Sequence, residues 1–241
     1  MLDKLQLKIR TSIVELFCRL FVSEEDFYFL KDIFTLRIYF FGIIFLIIPQ
    51  TRELAIILSP LMLLLTGFYC LYPIIIKRSK EVRLLTFLLL IAFSTILIEA
   101  AGVYTGLIFG VYSYGDVLGI KMLDVPVIIG LNWVIVILGT THLAKKLVDN
   151  KFLVALYAGV FAVVFDFFLE PIAVKFNFWN WDNGIIPLQN YVAWFVITFS
   201  FSLVLQSLFS LKYTIRSGYA MIYQTFFFFT LVILYFFGAI I

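Results

Sequence analysis

Three carboxylic acids lie inside stretches that are otherwise apolar. Glu99 comes near the end of LLTFLLLIAFSTILIEAAG (84–102), and Asp166 and Glu170 interrupt VALYAGVFAVVFDFFLEPIAV (154–174). A charge at the centre of a bilayer costs roughly 2.5–3.5 kcal/mol on insertion scales, so such residues usually face a polar interior and mark function. Carboxyls in such a setting can donate and accept protons during a reaction. We therefore predict a buried acidic site, with Glu99, Asp166 and Glu170 as its catalytic residues.

The composition places these acids in a membrane protein. The chain is 63% hydrophobic and 14% charged, with a mean hydropathy of +1.09, whereas soluble domains carry about 25% charged residues. Several apolar runs are long enough to cross a hydrocarbon core of ~30 Å as helices. The sequence thus predicts an all-α, polytopic helical bundle that is integral to the cell (inner) membrane.

The apolar runs predict seven transmembrane helices within a domain of residues 33–241. Their expected bounds are 33–49, 54–76, 84–103, 126–144, 152–174, 187–211 and 219–241. With this count, 15 of the 18 lysines and arginines lie on the side of the N-terminus, and only Arg52, Lys121 and Lys175 lie on the other. Because basic residues concentrate on the cytoplasmic side, we expect the N-terminus in the cytoplasm.

Residues 1–32 carry a separate prediction. Apolar side chains recur at helical spacing from Leu5 to Leu20, while Lys4, Lys8 and Arg10 lie on other faces. This pattern is typical of an amphipathic helix that lies in the membrane interface. We expect it on the cytoplasmic side, ahead of the first span.

The predicted topology brings the three acids to the outer half of the bundle. Asp166 and Glu170 are four residues apart and therefore share one helix face. Like charges at that spacing repel, so at least one of the two should hold a proton in a low dielectric. Pro171 has no amide hydrogen to donate, which predicts a kink or an end of the helix beside Glu170.

Aromatic and amide side chains flank the acids. Tyrosines and tryptophans cluster in the stretches 110–126 and 175–190. We expect the loops 104–125 and 175–190 to fold back over the outer ends of the third and fifth spans. Such aromatics form either an interfacial belt or the cap of an apolar binding site. Amides in the fourth and sixth spans either bond an acid or join helices. The predicted substrate-binding residues are Tyr112, Tyr114, Asn132, Trp133, Trp179, Trp181, Asn190 and Trp194.

A glycine repeat follows Glu99. Gly102, Gly106 and Gly110 recur at four-residue spacing, which favours close packing of helices. The same stripe of small residues would also leave room for a flat, rod-like ligand beside Glu99.

Other common sites have no signature in the chain. There is no phosphate loop, dinucleotide fingerprint, HExxH or Ser-His-Asp pattern. The only histidine, His142, is predicted far from the acids, and Cys18 and Cys70 fit no metal or disulfide spacing. We expect no metal, no cofactor and no nucleic-acid partner, and the sequence identifies no protein partner.

Several strings resemble one known family. These are EAAGVYTGLIFGVYSYGDVLG (99–119), VPVIIGLNW (125–133), DFFLEP (166–171) and WNWDNGIIPLQNYVAW (179–194). They are similar to the carotenoid biosynthesis membrane proteins typified by carotenoid 1,2-hydratases, which include bacterial γ-carotene hydratases and archaeal bisanhydrobacterioruberin hydratases. The resemblance covers about 84–200. In one departure, an aspartate commonly precedes the family's proline, where this chain has Glu170.

The resemblance implies a reaction. It is the cofactor-free addition of water to the terminal 1,2 double bond of a carotenoid's ψ end group. An acid protonates the less substituted carbon, and the tertiary cation that results captures water. A carboxylate and aromatic faces can stabilise that cation. Because the carotenoid is apolar, we expect a site that opens to lipid. Asp166, paired with Glu170, is favoured as the proton donor, with Glu99 positioning water or balancing the cation, and the reverse assignment stays open.

Two other functions remain compatible with the sequence. A lycopene-type cyclase would also protonate a ψ end group but would quench the cation internally. A non-catalytic carotenoid or lipid carrier, or a membrane scaffold, would use the same cavity without turnover. The mass of the pigment separates these readings, because only hydration adds water.

Overall fold

The computed structural model describes residues 34–76, 78–211 and 214–240. The predicted all-helical architecture is confirmed, with two short strand pairs added at one end of the bundle. The predicted interfacial helix of residues 1–32 lies outside the described residues. The eight described helices are α1 Phe34–Ile47, α2 Pro49–Ile57, α3 Ser59–Ile76, α4 Arg78–Thr105, α5 Ile128–Leu147, α6 Lys151–Lys175, α7 Leu188–Leu208 and α8 Ile215–Phe236.

Five of the described helices are long and apolar enough to cross a membrane. They are α4 from Val82 onward and α5 to α8, and they coincide with the last five predicted spans. Helices α2 and α3 meet at a bend of 57° and together form either one further broken span or a re-entrant loop. The described part of helix α1 has 14 residues, or about 21 Å, which is less than the ~30 Å core. The protein is therefore a helical membrane protein, and the count of seven crossings stays a prediction.

Proline explains why α1 and α2 are separate helices. Pro49 opens α2 without a hydrogen to donate to α1, so α1 ends at Ile47. Arg52 then holds the junction, because its Nε donates to the carbonyl of Leu46 at 2.9 Å. Its Nη2 also donates to Ala239 O at 3.3 Å and ties the junction of α1 and α2 to the segment that follows α8.

Helix α5 forms the centre of the bundle. Its spanning window is 78% buried, against 33–44% for the other four spans. Two glycines let neighbours approach closely: a Cβ on Gly139 would lie 2.5 Å from Ser217 O, and one on Gly130 would lie 2.8 Å from Ala92 O. Residues at the loop end of α5 are thus held between α4, α6 and α8.

Two loops at the same end of the bundle are joined by a short antiparallel ladder. Strand β1, Tyr112–Tyr114, pairs with β4, Trp179–Trp181, so that Tyr112 lies opposite Trp181 and Tyr114 opposite Trp179. Strands β2 and β3, Lys121–Met122 and Val125–Pro126, form a second pair within the first loop. Because side chains alternate along a strand, all four aromatic residues of the ladder lie on one face.

The glycine repeat does not form a helix-packing stripe, so that prediction is wrong. Helix α4 ends at Thr105, and Gly106 and Gly110 have φ angles of +65° and +111°. Gly106 thus provides a left-handed helix end. A Cβ on Gly110 would lie 2.5 Å from Pro187 Cγ, so the glycine lets the loops meet. The repeat has the spacing of a helix face, but its last two members belong to a turn.

Helix α6 continues past Pro171 to Lys175. The proline therefore does not end the helix beside Glu170, which was one of the two predicted outcomes. The carbonyl of Ile172 accepts from the amide of Phe176 at 2.9 Å and closes the last turn. Glu170 consequently lies within α6, one turn from Asp166.

Candidate functional site

All three predicted acids are buried inside the bundle. Glu99 is 4% exposed, Asp166 is fully buried and Glu170 is 1% exposed. The prediction that they avoid lipid is confirmed. Helix α4 carries the first and helix α6 carries the other two, and the joined loops cover this end of both helices.

Glu99 accepts three hydrogen bonds. The hydroxyls of Tyr112 and Tyr114 both donate to Oε2, the second at 2.9 Å. The indole Nε1 of Trp133 on α5 donates to Oε1 at 2.8 Å. The carboxyl is therefore held by a loop strand on one side and by the central helix on the other.

Glu170 also accepts three hydrogen bonds, but only from nitrogen. Trp179 and Trp181 donate through Nε1 to Oε2 at 3.0 and 2.7 Å. Asn190 donates through Nδ2 to Oε1 at 3.1 Å. The prediction that the loop tryptophans lie near the acids is confirmed.

Asp166 has a poorer set of partners. Its Oδ2 accepts from Asn190 Nδ2 at 2.6 Å. Its buried Oδ1 has no partner in the described part of the chain. Asn190 therefore links Asp166 to Glu170 through a single side-chain amide.

A cavity with about 340 Å³ of unfilled space is lined by the two glutamates, the ladder and the central helix; we call it the acidic cavity. Both glutamates line it, and so do all eight residues predicted to bind substrate. Asp166 is absent from its lining. Sequence reasoning missed Phe109 and Ile129, which are ordinary apolar residues without any distinguishing pattern. The lining is Glu99, Phe109, Tyr112, Tyr114, Ile129, Asn132, Trp133, Glu170, Trp179, Trp181, Asn190 and Trp194.

Aromatic rings surround the acidic cavity. Trp133 and Trp194 lie with ring centroids 4.3 Å apart, and Tyr112 and Trp181 with centroids 5.1 Å apart. The faces of such rings attract positive charge. The cavity therefore combines groups that can move a proton with groups that can stabilise a cation.

The tyrosines of β1 keep their protons. Burial, reinforced by the neighbouring Glu99 carboxyl, raises the pKa of both Tyr112 and Tyr114 above the ordinary value. Outside the cavity, Lys121 pairs with Asp116 at 2.8 Å and lowers the pKa of that carboxyl. Lys121 Nζ also donates to Tyr114 O at 2.9 Å and so anchors β1.

A second and larger cavity adjoins the first. It encloses about 730 Å³ of unfilled space between α1, α2 and α3 on one side and α5, α6 and α8 on the other; we call it the apolar cavity. Ile129, Asn132 and Trp179 line both cavities. Within the described ranges, no group of three or more histidine, cysteine, aspartate or glutamate side chains could hold a metal ion.

Comparison with known proteins identifies the family. No curated protein and no solved structure matches the chain. The family described as "Carotenoid biosynthesis protein" matches residues 55–241 and so extends the resemblance at 84–200 in both directions. The match includes the bent pair from Ala55 onward, every side chain of the acidic cavity and α8. The chain belongs to the carotenoid biosynthesis protein family.

Proposed function

We propose that the protein is a carotenoid hydratase, which adds water to the terminal 1,2 double bond of a ψ end group. Its family supports a role as an enzyme of carotenoid biosynthesis. The observation that carries the proposal is the acidic cavity, in which two buried carboxyls face a common space walled by aromatic rings. This arrangement has the groups that hydration of an isolated alkene requires: an acid, a counter-charge and cation-stabilising faces.

Hydrogen bonding supports a distribution of charge over the three acids. Indole and amide N–H groups can only donate, so the three partners of Glu170 suit a carboxylate. Asp166 has a buried oxygen without a partner, and an ionised group there would be poorly compensated, so we assign it the neutral form. A second negative charge on Glu99 would repel that on Glu170, and Glu99 is therefore assigned the proton as well.

The reaction then proceeds in two steps. Glu99 gives its proton to the less substituted alkene carbon, the π electrons form the new C–H bond, and a cation develops on the tertiary carbon. The Glu170 carboxylate and the surrounding rings stabilise that cation. A water molecule forms the C–O bond, and its surplus proton returns to Glu99. The product is a tertiary alcohol, and the three acids end in their starting state.

Asp166 receives a positioning role in this proposal. The sequence favoured it as the proton donor, but it does not line the acidic cavity. It accepts from Asn190 at 2.6 Å, and the same amide donates to Glu170. We propose that Asp166 fixes Asn190 and thereby the carboxylate of Glu170.

The proposal includes the predicted topology of seven crossings, with a cytoplasmic N-terminus and the acidic cavity toward the outer face of the inner membrane. The concentration of lysines and arginines on the predicted cytoplasmic side supports this topology. Single cysteines at exposed Ser113 and Asp149, in a background without native cysteines, test it in intact cells. A membrane-impermeant maleimide should label Ser113→Cys and not Asp149→Cys, and the opposite result would reverse the orientation.

The function is tested by expression in a host that accumulates an acyclic ψ-ended carotenoid such as lycopene, followed by mass spectrometry of the pigment. We expect a product heavier by one water, and none with an equally expressed Glu99→Gln variant. A product of unchanged mass but altered absorption would favour the cyclase. An unchanged pigment that copurifies with the protein would favour the carrier.

A further inference from the structure

We propose that the apolar cavity holds the polyene chain of the substrate, and that its wall at Met62 sets which chain lengths react. The inference rests on the proposed function for the identity of the ligand. It adds a binding compartment and a specificity-determining residue on helices that contribute nothing to the acidic cavity. Among the described helices, α1 to α3 form the wall of the apolar cavity that contains Met62.

The first argument is adjacency. Ile129, Asn132 and Trp179 line both cavities, so a single layer of side chains lies between the glutamates and the apolar cavity. Asn132 is buried, and its side-chain amide makes no hydrogen bond to any residue that the structure describes. This residue therefore marks the boundary between the polar and the apolar compartment.

The second argument is the chemistry of the lining. The apolar cavity contains no ionisable side chain, and only Ser59, Asn132 and Gln224 are polar. Its walls are rich in phenylalanine, with Phe227 and Phe228 on α8 and Phe165 and Phe176 of the α6 segment. Phe165 and Phe228 pack edge to face with ring centroids 5.8 Å apart. Flat aromatic and aliphatic surfaces suit a conjugated hydrocarbon, and predominantly apolar linings are typical of small-molecule sites. The adjoining acidic cavity has less than half of the unfilled space of the apolar cavity.

The third argument is access. Helix α2 has no buried residue, yet Ala55 on it lines the apolar cavity. In a membrane, the other side of α2 faces lipid or the interface. The bent pair α2 and α3 is therefore a thin wall between the cavity and the phase that dissolves carotenoids. Met62 and Ser59 on α3 extend that wall toward the core.

The test uses two neighbouring residues and one substitution. Met62 lines the cavity, whereas Leu61 is 49% exposed on the outside of the same helix. Met62→Trp should lower kcat/KM for a full-length carotenoid by roughly 10–200-fold, the range for a misfit in an apolar pocket. A short hydrocarbon with the same terminal double bond should react as before. Leu61→Trp should match the wild type on both substrates.

Carotenoid retained by the purified protein, measured as absorbance per mole of protein, is the second readout. It should fall in Met62→Trp alone. Equal losses for long and short substrates, or unchanged retention, would overturn the inference. Wild-type protein that retains carotenoid but forms no hydrated product would end the proposed function, while a retention loss confined to Met62→Trp would still support the compartment.

Should Met62→Trp fail to accumulate, a second pair replaces it. Ala55 lines the cavity from α2, and Leu54 beside it is exposed. Ala55→Phe should reproduce the selective loss with the long substrate, and Leu54→Phe should not. Loss of activity in both variants would refute the assignment of this wall.

Discussion

Glu99 and Glu170 are two buried glutamates with three hydrogen-bond donors each, but the donors differ in kind. Two phenols and one indole serve Glu99, whereas two indoles and one amide serve Glu170. A phenol can donate or accept, but an indole or amide N–H can only donate. Glu99 can therefore gain or lose a proton and keep its phenol partners, whereas Glu170 keeps all of its partners only as a carboxylate.

A single ladder supplies both environments. Tyr112 and Tyr114 on β1 contact Glu99, and Trp179 and Trp181, which are paired with them on β4, contact Glu170. A shift of one strand against the other would disturb both carboxyls at once. The difference between the two acids is therefore a property of the loops, although the acids belong to the helices.

The largest effect is expected for Glu99→Gln. The amide keeps the size and polarity of the side chain but has no transferable proton, so kcat should fall by about 10²–10⁴-fold. Turnover of a ψ-ended carotenoid in detergent or liposomes measures this, and retained carotenoid per protein serves as the folding control. Full activity in a well-expressed variant would end the proposed mechanism.

Glu170→Gln should be nearly as damaging, for a different reason. The variant removes the negative charge that faces the cation, and loss of one such electrostatic contribution costs about 10²–10³-fold in kcat. KM should change little, because the ground-state alkene is uncharged. Activity close to that of the wild type would show that the different hydrogen-bond donors of Glu99 and Glu170 do not correspond to different catalytic roles.

Asp166→Asn should have a smaller effect. The asparagine can still accept from Asn190, and Asp166 does not line the acidic cavity. The effect should not exceed the loss of one neutral hydrogen bond, which is worth about 0.5–1.5 kcal/mol. We therefore expect a decrease of about tenfold or less in kcat. If the loss instead equals that of Glu99→Gln, Asp166 is the proton donor, as the sequence favoured.

Removal of one phenol should have an effect of similar size. Tyr114→Phe leaves Glu99 with two of its three donors. If Glu99 is neutral at rest, the lost bond is worth about 0.5–1.5 kcal/mol, or roughly 2- to 12-fold in kcat. Ser113→Ala, on the exposed face of the same strand, is the matched control and should leave kcat unchanged. A loss beyond 100-fold in Tyr114→Phe would indicate that this phenol itself carries the proton.

The residues of the site could be predicted from the sequence better than their positions relative to one another. Carboxyls in apolar runs are conspicuous because their burial is costly, and the Y-x-Y and W-x-W pairs alternate as strand residues do. Whether Asp166 or Glu170 reaches the cavity depends on the rotation of α6, which is set by contacts with α7 and α8 and has no local signature. The pairing of Tyr112 with Trp181 likewise joins loops that are distant in sequence.

The fold shows the same division between local and long-range information. Helix type and approximate position follow from apolar periodicity, so the last five spans were found close to their bounds. The repeat at Gly102, Gly106 and Gly110 has helical spacing, but the left-handed φ at Gly106 ends α4. The apolar cavity was missed entirely, because its walls come from six helices and its lining consists of residue types found in any core.

The smallest predicted effect is a dependence of stability on alkaline pH. Burial and the Glu99 carboxyl raise the pKa of Tyr112 and Tyr114 in the folded protein, whereas the unfolded chain releases these protons near pH 10. Above that pH the unfolded state binds fewer protons than the folded state, so the free energy of unfolding falls as the pH rises. The contribution is complete below about pH 10 and diminishes above it. Between pH 8 and pH 11 in detergent, the free energy of unfolding should decrease less for Tyr112→Phe/Tyr114→Phe than for the wild type. Equal decreases would mean that the two phenols titrate normally and are not held against Glu99.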